Sequence, residues 1–191
     1  MEKFEIISTY RKLAVIMNKI YIISGPPGVG KSTTTKGLAE QFDQSAYIEG
    51  DLINHMVVGG YLPPWKSKES LSLVWENIAD LSINFVQANK NVIIDYVAFP
   101  EEVEKFSQKI YAVIQNVEII YVVLWVDRDE LLRRDALRIK EQQMGVRCLE
   151  LVTEFEIKVI DKRFFYNTTD LQPSDLDEIF LNIRENPSFK Y

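Results

Sequence analysis

Short apolar runs alternate along this chain with stretches whose apolar residues recur every three to four positions, the pattern of strands separated by helices. Lys19-Ile20-Tyr21-Ile22-Ile23-Ser24 reads as a buried strand, and Thr33 to Phe42 as the helix leading away from it. Ala46-Tyr47-Ile48-Glu49 predicts a second strand ending at Gly50-Asp51, with helix from Leu52. The loop Gly59-Gly60-Tyr61-Leu62-Pro63-Pro64-Trp65 leads to a long helix from about Ser70 to Ala88, where Leu73, Ile78, Leu81 and Phe85 keep helical spacing. Asn91 to Val97 is a third strand, and Pro100 suits the first turn of another helix. Val117 to Val126 is almost wholly apolar, as in strands covered on both faces. Charged helices over Asp129–Lys140 and Arg147–Ile160, a last strand over Arg163–Tyr166 and a closing helix from Pro173-Ser174-Asp175 complete the chain. The expected class is α/β: a five-stranded parallel sheet between two helical layers, α/β/α.

Composition narrows this little. The 191 residues, 47% hydrophobic and 26% charged, suit one domain with a real core. The net charge of −6 argues against a broad nucleic-acid footprint, though a small phosphorylated substrate held by a few arginines stays open. Cys148 is the only cysteine, so no internal disulfide forms, and a cytoplasmic setting is expected. No apolar run approaches the ~18 residues of a membrane span. The domain is expected over 17–191, as a monomer or homodimer. Residues 1–16, with Lys12-Leu13-Ala14-Val15-Ile16, are either a helical extension or a start assigned upstream of Met17.

Between the first strand and helix lies Gly25-Pro26-Pro27-Gly28-Val29-Gly30-Lys31-Ser32-Thr33, which fits G-x-x-x-x-G-K-[ST]. Glycines let successive backbone N–H groups turn inward as a concave anion nest. The helix starting at Lys31 adds its positive N-terminal end. This is the phosphate-cradling loop of P-loop NTPases, in which Lys31 would reach the β- and γ-phosphates and the Ser32 hydroxyl would ligate Mg2+. A Gly-Pro turn before an ordinary helix is the plain alternative, and the strand–loop–helix setting speaks against it.

Asp51 and Asp95 fall at the carboxyl ends of expected strands, the edge of an α/β sheet where ligands bind. Phosphoryl transfer needs a metal-organising carboxylate and a group that orients the nucleophile. Asp51 is assigned as base for an acceptor hydroxyl. Asp95, ending Val92-Ile93-Ile94, resembles a Walker-B acid acting on Mg2+ directly or through water. The two roles are exchangeable on these grounds, and each residue has a simpler reading as a helix cap or turn aspartate. Glu49 is a third candidate, sharing a side with Asp51 if the segment is extended.

Arg133, Arg134, Arg138, Lys140 and Arg147 form the main basic concentration. Arg134 and Arg138, four apart, are expected on one helix face, placed to close over a triphosphate and neutralise charge during transfer. The simpler reading is a solvated face paired with Glu130, Asp135 and Glu141. Lys140 to Gly145 is expected to form a short lid. Asn54, His55, Tyr61, Trp65 and Tyr96 surround Asp51 in sequence and are the candidates for holding a small polar acceptor, against plainer packing roles. Cys148, without a nearby histidine, is read as structural.

Taken together, Gly25–Thr33, Glu49-Gly50-Asp51, Val92–Asp95, Leu132-Arg133-Arg134-Asp135-Ala136-Leu137-Arg138 and Tyr166-Asn167-Thr168-Thr169 resemble the small P-loop kinases. That group includes gluconate kinase, shikimate kinase and chloramphenicol phosphotransferase, with zeta-toxin-like kinases nearby. The resemblance runs from about Lys19 to the closing helix. It implies the P-loop NTPase fold with strand order 2-3-1-4-5, ATP and Mg2+ as cofactors, and Asp51 meeting the acceptor hydroxyl. It also implies Arg134 and Arg138 in adenine and phosphate contacts at the start of a lid, with Thr168 and Thr169 approaching adenine. The chain departs from shikimate kinases, which show Asp-x-Asp after strand two and a Gly-Gly-Gly turn after strand three. It departs from adenylate kinases in having Ser32 after Lys31 and no long lid insertion.

The expected activity is ATP-dependent transfer of the γ-phosphoryl group to a hydroxyl of a small molecule: a sugar, a sugar acid such as gluconate, or an antibiotic-like compound. Lys31, Arg134 and Arg138 would stabilise charge while Asp51 deprotonates the acceptor. Two alternatives stand beside it, a regulatory P-loop NTPase that only hydrolyses nucleotide, and a polynucleotide-end kinase. Guanine specificity lacks support, since Asn89-Lys90-Asn91-Val92 has no Asn-Lys-x-Asp aspartate.

Overall fold

Strand β1 (Asn18–Ser24) lies at the centre of the sheet, between β3 (Asn91–Asp95) and β4 (Val117–Trp125). β2 (Ser45–Glu49) forms one edge beyond β3, and β5 (Phe165–Asn167) the other beyond β4. All pairings are parallel, in the order β2-β3-β1-β4-β5. This is the expected order. The computed structural model describes residues 17–140 and 143–191; the expectation for 1–16 and part of that for the lid lie outside the described residues.

The β-branched and aromatic residues that favour strands here also build the core. Ile20 and Ile22 of β1 face one way, with Val92 and Ile94 of β3. They pack under helices α3 (Lys68–Gln87) and α4 (Pro100–Val113), through Trp75, Ile78, Val103 and Phe106. Tyr21 and Ile23 face the other way with Ile93, under α1 (Lys31–Glu40) and α7 (Leu176–Glu185), through Leu38, Ile179 and Phe180. Each fully buried isoleucine contributes on the order of 1.5–3 kcal/mol. Helix α6 (Val146–Ile157) straddles the layers, giving Val152 to one cluster and Phe155 to the other. Among the described residues no helix is long and apolar enough to cross a membrane.

Several boundaries differ from expectation for local reasons. Helix α2 (Gly50–Asn54) begins directly at the end of β2, so Asp51 stands in a helical first turn rather than in extended chain. Helix α5 (Arg128–Ala136) stops well short of Lys140. The buried Asp135 carboxylate captures the N–H groups of Met144 (3.0 Å) and Gly145 (2.8 Å), which pulls the chain out of helix. β5 starts at Phe165 because a 3-10 turn, Lys162–Phe164, capped by Asp161, takes up the residues before it.

Candidate active site

The phosphate loop is shaped by its neighbours without any ligand. Gly25, Gly28 and Gly30 all take positive φ (131°, 87° and 98°), a region costly for other residues. At Gly25 space is a second constraint, because a Cβ would stand 2.3 Å from the Leu124 carbonyl oxygen. Gly30 caps α1 without a side chain, and the first turn of α1 holds no acidic residue. Its free N–H groups and positive end are left for an anion. Ser32 and Thr33 are exposed at that end, Pro26 and Val29 are buried behind it, and Pro27 is half-buried. Lys31 folds back on the loop, its ammonium donating to the carbonyls of Gly25 (2.8 Å) and Pro26 (3.0 Å). Removal from water lowers Lys31 below the usual lysine range, while the charges of Asp95 and Asp51 oppose this.

The charges of both carboxylates are thus felt at the loop's lysine. Asp95 ends β3 level with Ile23 of β1 and Glu49 of β2, buried on the α1 side of the sheet. The Tyr47 phenol lies within hydrogen-bond reach of Asp95 (3.1 Å) and Glu49 (3.2 Å), donating its one proton to either. Burial, then the two negative charges, push the Tyr47 phenol well above its ordinary value. Lys36 of α1 completes the cluster, 3.9 Å from Glu49. Glu49 is thus tied to Asp95, and the extended spacing that would align it with Asp51 does not occur.

Asp51 opens to solvent, yet the cleft walls displace enough water to raise its carboxyl above the ordinary 3.8. Lys31 pulls it down and Asp95 pushes it further up. Gly50 lets the Tyr96 ring lie against the backbone at this point; a Cβ there would meet the ring 2.3 Å away. Three residues on from Asp51, and so on the same side of α2, Asn54 donates to the Tyr61 hydroxyl at 3.1 Å. The His55 ring lies 5.7 Å from that of Tyr61. Asn54 and Tyr61 border a cavity of about 200 Å3 at the start of α3. Trp65 stands apart, 66% exposed, with the Arg147 guanidinium 5.8 Å from its ring centre.

The two arginines part company. Arg134 is a clasp: it donates to Glu130 (2.6 Å), to the Val29 carbonyl (3.4 Å) and to those of Thr168 (2.9 Å) and Leu171 (3.3 Å). It fixes α5 to the phosphate loop and to the turn after β5. Arg138 lies past the end of α5 instead of on its face, 3.4 Å from Asp135. Its charge reaches Lys31 and lowers it. Thr168 is buried, its N–H donating to the Trp125 carbonyl at 2.8 Å. The Thr169 hydroxyl donates to Asn167 (2.6 Å) and accepts from the Asp127 N–H (2.9 Å). Thr169 also borders a second cavity of about 380 Å3 with Tyr166, Glu178 and Asn182. Burial, reinforced by Asp135, pushes the Cys148 thiol up to about 11, as suits a structural residue.

No group of three or more His, Cys, Asp or Glu among the described residues could cage a metal. Magnesium binds through one or two carboxylates plus substrate phosphates, and Ser32 and Asp95 are the side chains that could contribute to such an ion.

With this geometry in view, the sequence matches the AAA domain model over residues 22–150, more than half of its length. The chain belongs to the AAA domain family. A search of curated proteins finds no match. Among solved structures, this AAA domain is similar to a sugar kinase from Janibacter sp. (13% identity, 90% of this chain and 96% of that one, TM-score 0.65). It is similar to a gluconokinase from Sinorhizobium meliloti (17% identity, 87% and 90% covered, TM-score 0.60). It is similar also to the APS kinase of Mycobacterium tuberculosis in complex with AMPPNP and APS (15% identity, 89% and 99% covered, TM-score 0.60). At these identities the likeness is one of fold.

Tyr47 escaped the sequence reading although it had a visible signal: it stands two before Glu49 in a strand, hence on the same face. Asp135 was expected only as a partner for the arginines, and it does pair with Arg138. Its capture of the Met144 and Gly145 N–H groups had no signal, since they lie nine and ten residues away in a loop.

Proposed function

We propose that the protein is an ATP-dependent kinase that transfers the γ-phosphoryl group to a hydroxyl of a small molecule, with residues 17–191 acting as one domain. The observation that carries this reading is the placement of Asp95 and Asp51 at adjoining strand ends, on the edge of the sheet where β1 enters the phosphate loop, with a cavity one helical turn from Asp51. A nucleotide-binding loop alone serves hydrolysis or switching equally well. A second carboxylate, raised in basicity, exposed, and one helical turn from the Asn54 that borders a cavity, adds a place for an acceptor.

In this mechanism the backbone N–H groups of 25–33 and the N-terminus of α1 hold the triphosphate. Lys31 leaves its loop carbonyls for the phosphate oxygens, which offer it full negative charge. Asp51 orients the acceptor hydroxyl and takes its proton as the oxygen attacks. The raised basicity of its carboxyl favours that transfer. Arg138, held only by a long contact to Asp135, supplies positive charge from past the end of α5, whereas Arg134 keeps the loop and the base-side turn in place. Magnesium, held by Ser32 and Asp95, would neutralise charge on the bridging oxygens. The kinase folds of the similar solved structures support the reading, and so do the hydroxyl and amide groups at Asn54 and Tyr61. Incubation with γ-labelled ATP and a panel of sugars, sugar acids, amino sugars and nucleosides tests it. Label on an acceptor is expected; label found only as free phosphate would reassign the protein to hydrolysis.

A further inference from the structure

The cavity beside Asn54 has a chemical bias of its own. Its walls bring together Asn54, Tyr61, Ser67, Ser70, Glu69 and Leu73, and Glu69 is the one charged side chain among them. No ion-pair partner meets Glu69 among the described residues. Asn54 is 3% exposed; its amide N–H donates to Tyr61, and among the described residues no donor reaches its amide oxygen. The wall thus presents a carboxylate and a free carbonyl oxygen, two acceptors in search of donors.

Anion binding at this wall is already spent. The N-terminus of α3 comes to the cavity here, but Ser67 caps it by accepting from the Ser70 N–H at 3.1 Å. Glu69 supplies negative charge in its first turn. Lys66 and Lys68 flank Ser67 in sequence, yet neither borders the cavity. Arg147, over the ring of Trp65, does not border the cavity and is engaged by Glu150 (2.8 Å) and Glu154 (3.4 Å). His55, Asp51 and Glu49 lie on the α2 side.

We propose that the acceptor is a hydroxyl compound bearing a protonated amine, and that Glu69 with the Asn54 carbonyl receives that amine while the hydroxyl is presented to Asp51. A sugar acid would bring its carboxylate against Glu69, uncompensated. The small cavity volume limits the amine-bearing end to monosaccharide size. This rests on the kinase reading of the site.

Calorimetric titration of the full chain, loaded with a non-hydrolysable ATP analogue, tests it with glucosamine, glucose and gluconate as matched probes. Glucosamine is expected to bind about tenfold more tightly than gluconate, the scale of one charge-assisted hydrogen bond. Glu69→Gln, at an exposed position, should erase that preference and leave glucose within about twofold. Gluconate binding as tightly as glucosamine, a preference that survives Glu69→Gln, or failure of every probe to bind would overturn the proposal. Transfer of label from γ-labelled ATP, followed in parallel for every probe, separates the two claims. Glucosamine bound with its preference intact, while label appears only as free phosphate with every probe, sinks the kinase reading and leaves only an amine-binding site. Phosphorylated gluconate, with Glu69→Gln indifferent, sinks the amine alone.

Discussion

The two halves of the cleft are built by opposite means. On the donor side the binding groups are mostly backbone, held by glycines at positive φ, and Arg134 ties the loop at the Val29 carbonyl to those of Thr168 and Leu171. On the acceptor side they are side chains on a five-residue helix and the irregular stretch after it. Leu52, Met56, Val58 and Leu62 there are more than half exposed, without a neighbour to bury them. A triphosphate is the same in every such protein, so a rigid cradle serves. An acceptor differs from one protein to the next, and the side of the cleft proposed for it is built of side chains particular to this chain.

Changes on the two sides should separate accordingly. The largest effect is expected for Lys31→Ala. Loss of its charge from a water-poor site should lower phosphoryl transfer by about 10³-fold or more and weaken ATP binding in the same titration. ATP affinity that stays unchanged would break the assignment of this side to the donor.

The arginines sharpen the division within the donor side. Arg134→Ala takes the guanidinium from the carbonyls of Val29, Thr168 and Leu171, of which Thr168 keeps the Leu171 N–H, and should cost about 2–3 kcal/mol, read as a fall in melting temperature. Arg138→Ala should leave melting within about a degree, since its contact to Asp135 is long, yet slow transfer about tenfold. Reversed outcomes would exchange clasp and charge donor.

Tyr47→Phe is expected to act more gently. It removes the proton shared by Asp95 and Glu49, so their repulsion rises, and the Mg2+ concentration for half-maximal rate should shift by a few-fold. An unchanged Mg2+ requirement would detach Asp95 from the metal. The smallest effect concerns stability and pH. The Asp51 carboxyl is raised in the folded state, so folding favours its proton; ionising it costs stability as pH climbs from the ordinary 3.8 through the raised value. At neutral pH the whole cost is present, and Asp51→Asn should melt slightly higher than the parent there, with the difference vanishing below pH ~3.8.

How much of this was legible depended on distance along the chain. The phosphate loop is contiguous, and its glycines announce it. The two aspartates could be placed because strand ends gather at one edge of a parallel sheet. The strand order followed from resemblance, since apolar runs do not state their neighbours. Arg134 and Arg138 misled because a four-residue spacing implies a shared face only while helix lasts, and Asp135 ends it through a loop far along the chain. Glu69 was invisible for the same reason: only folding brings the start of α3 to the end of α2.

The central claim is that Asp51 serves the acceptor and not the nucleotide. Measuring ATP affinity and acceptor phosphorylation side by side for Asp51→Asn tests it directly. ATP binding is expected within about twofold of the parent and transfer reduced by at least ~10²-fold, the scale of a lost general base. Transfer that persists, or ATP binding that collapses with it, would contradict the division of the cleft.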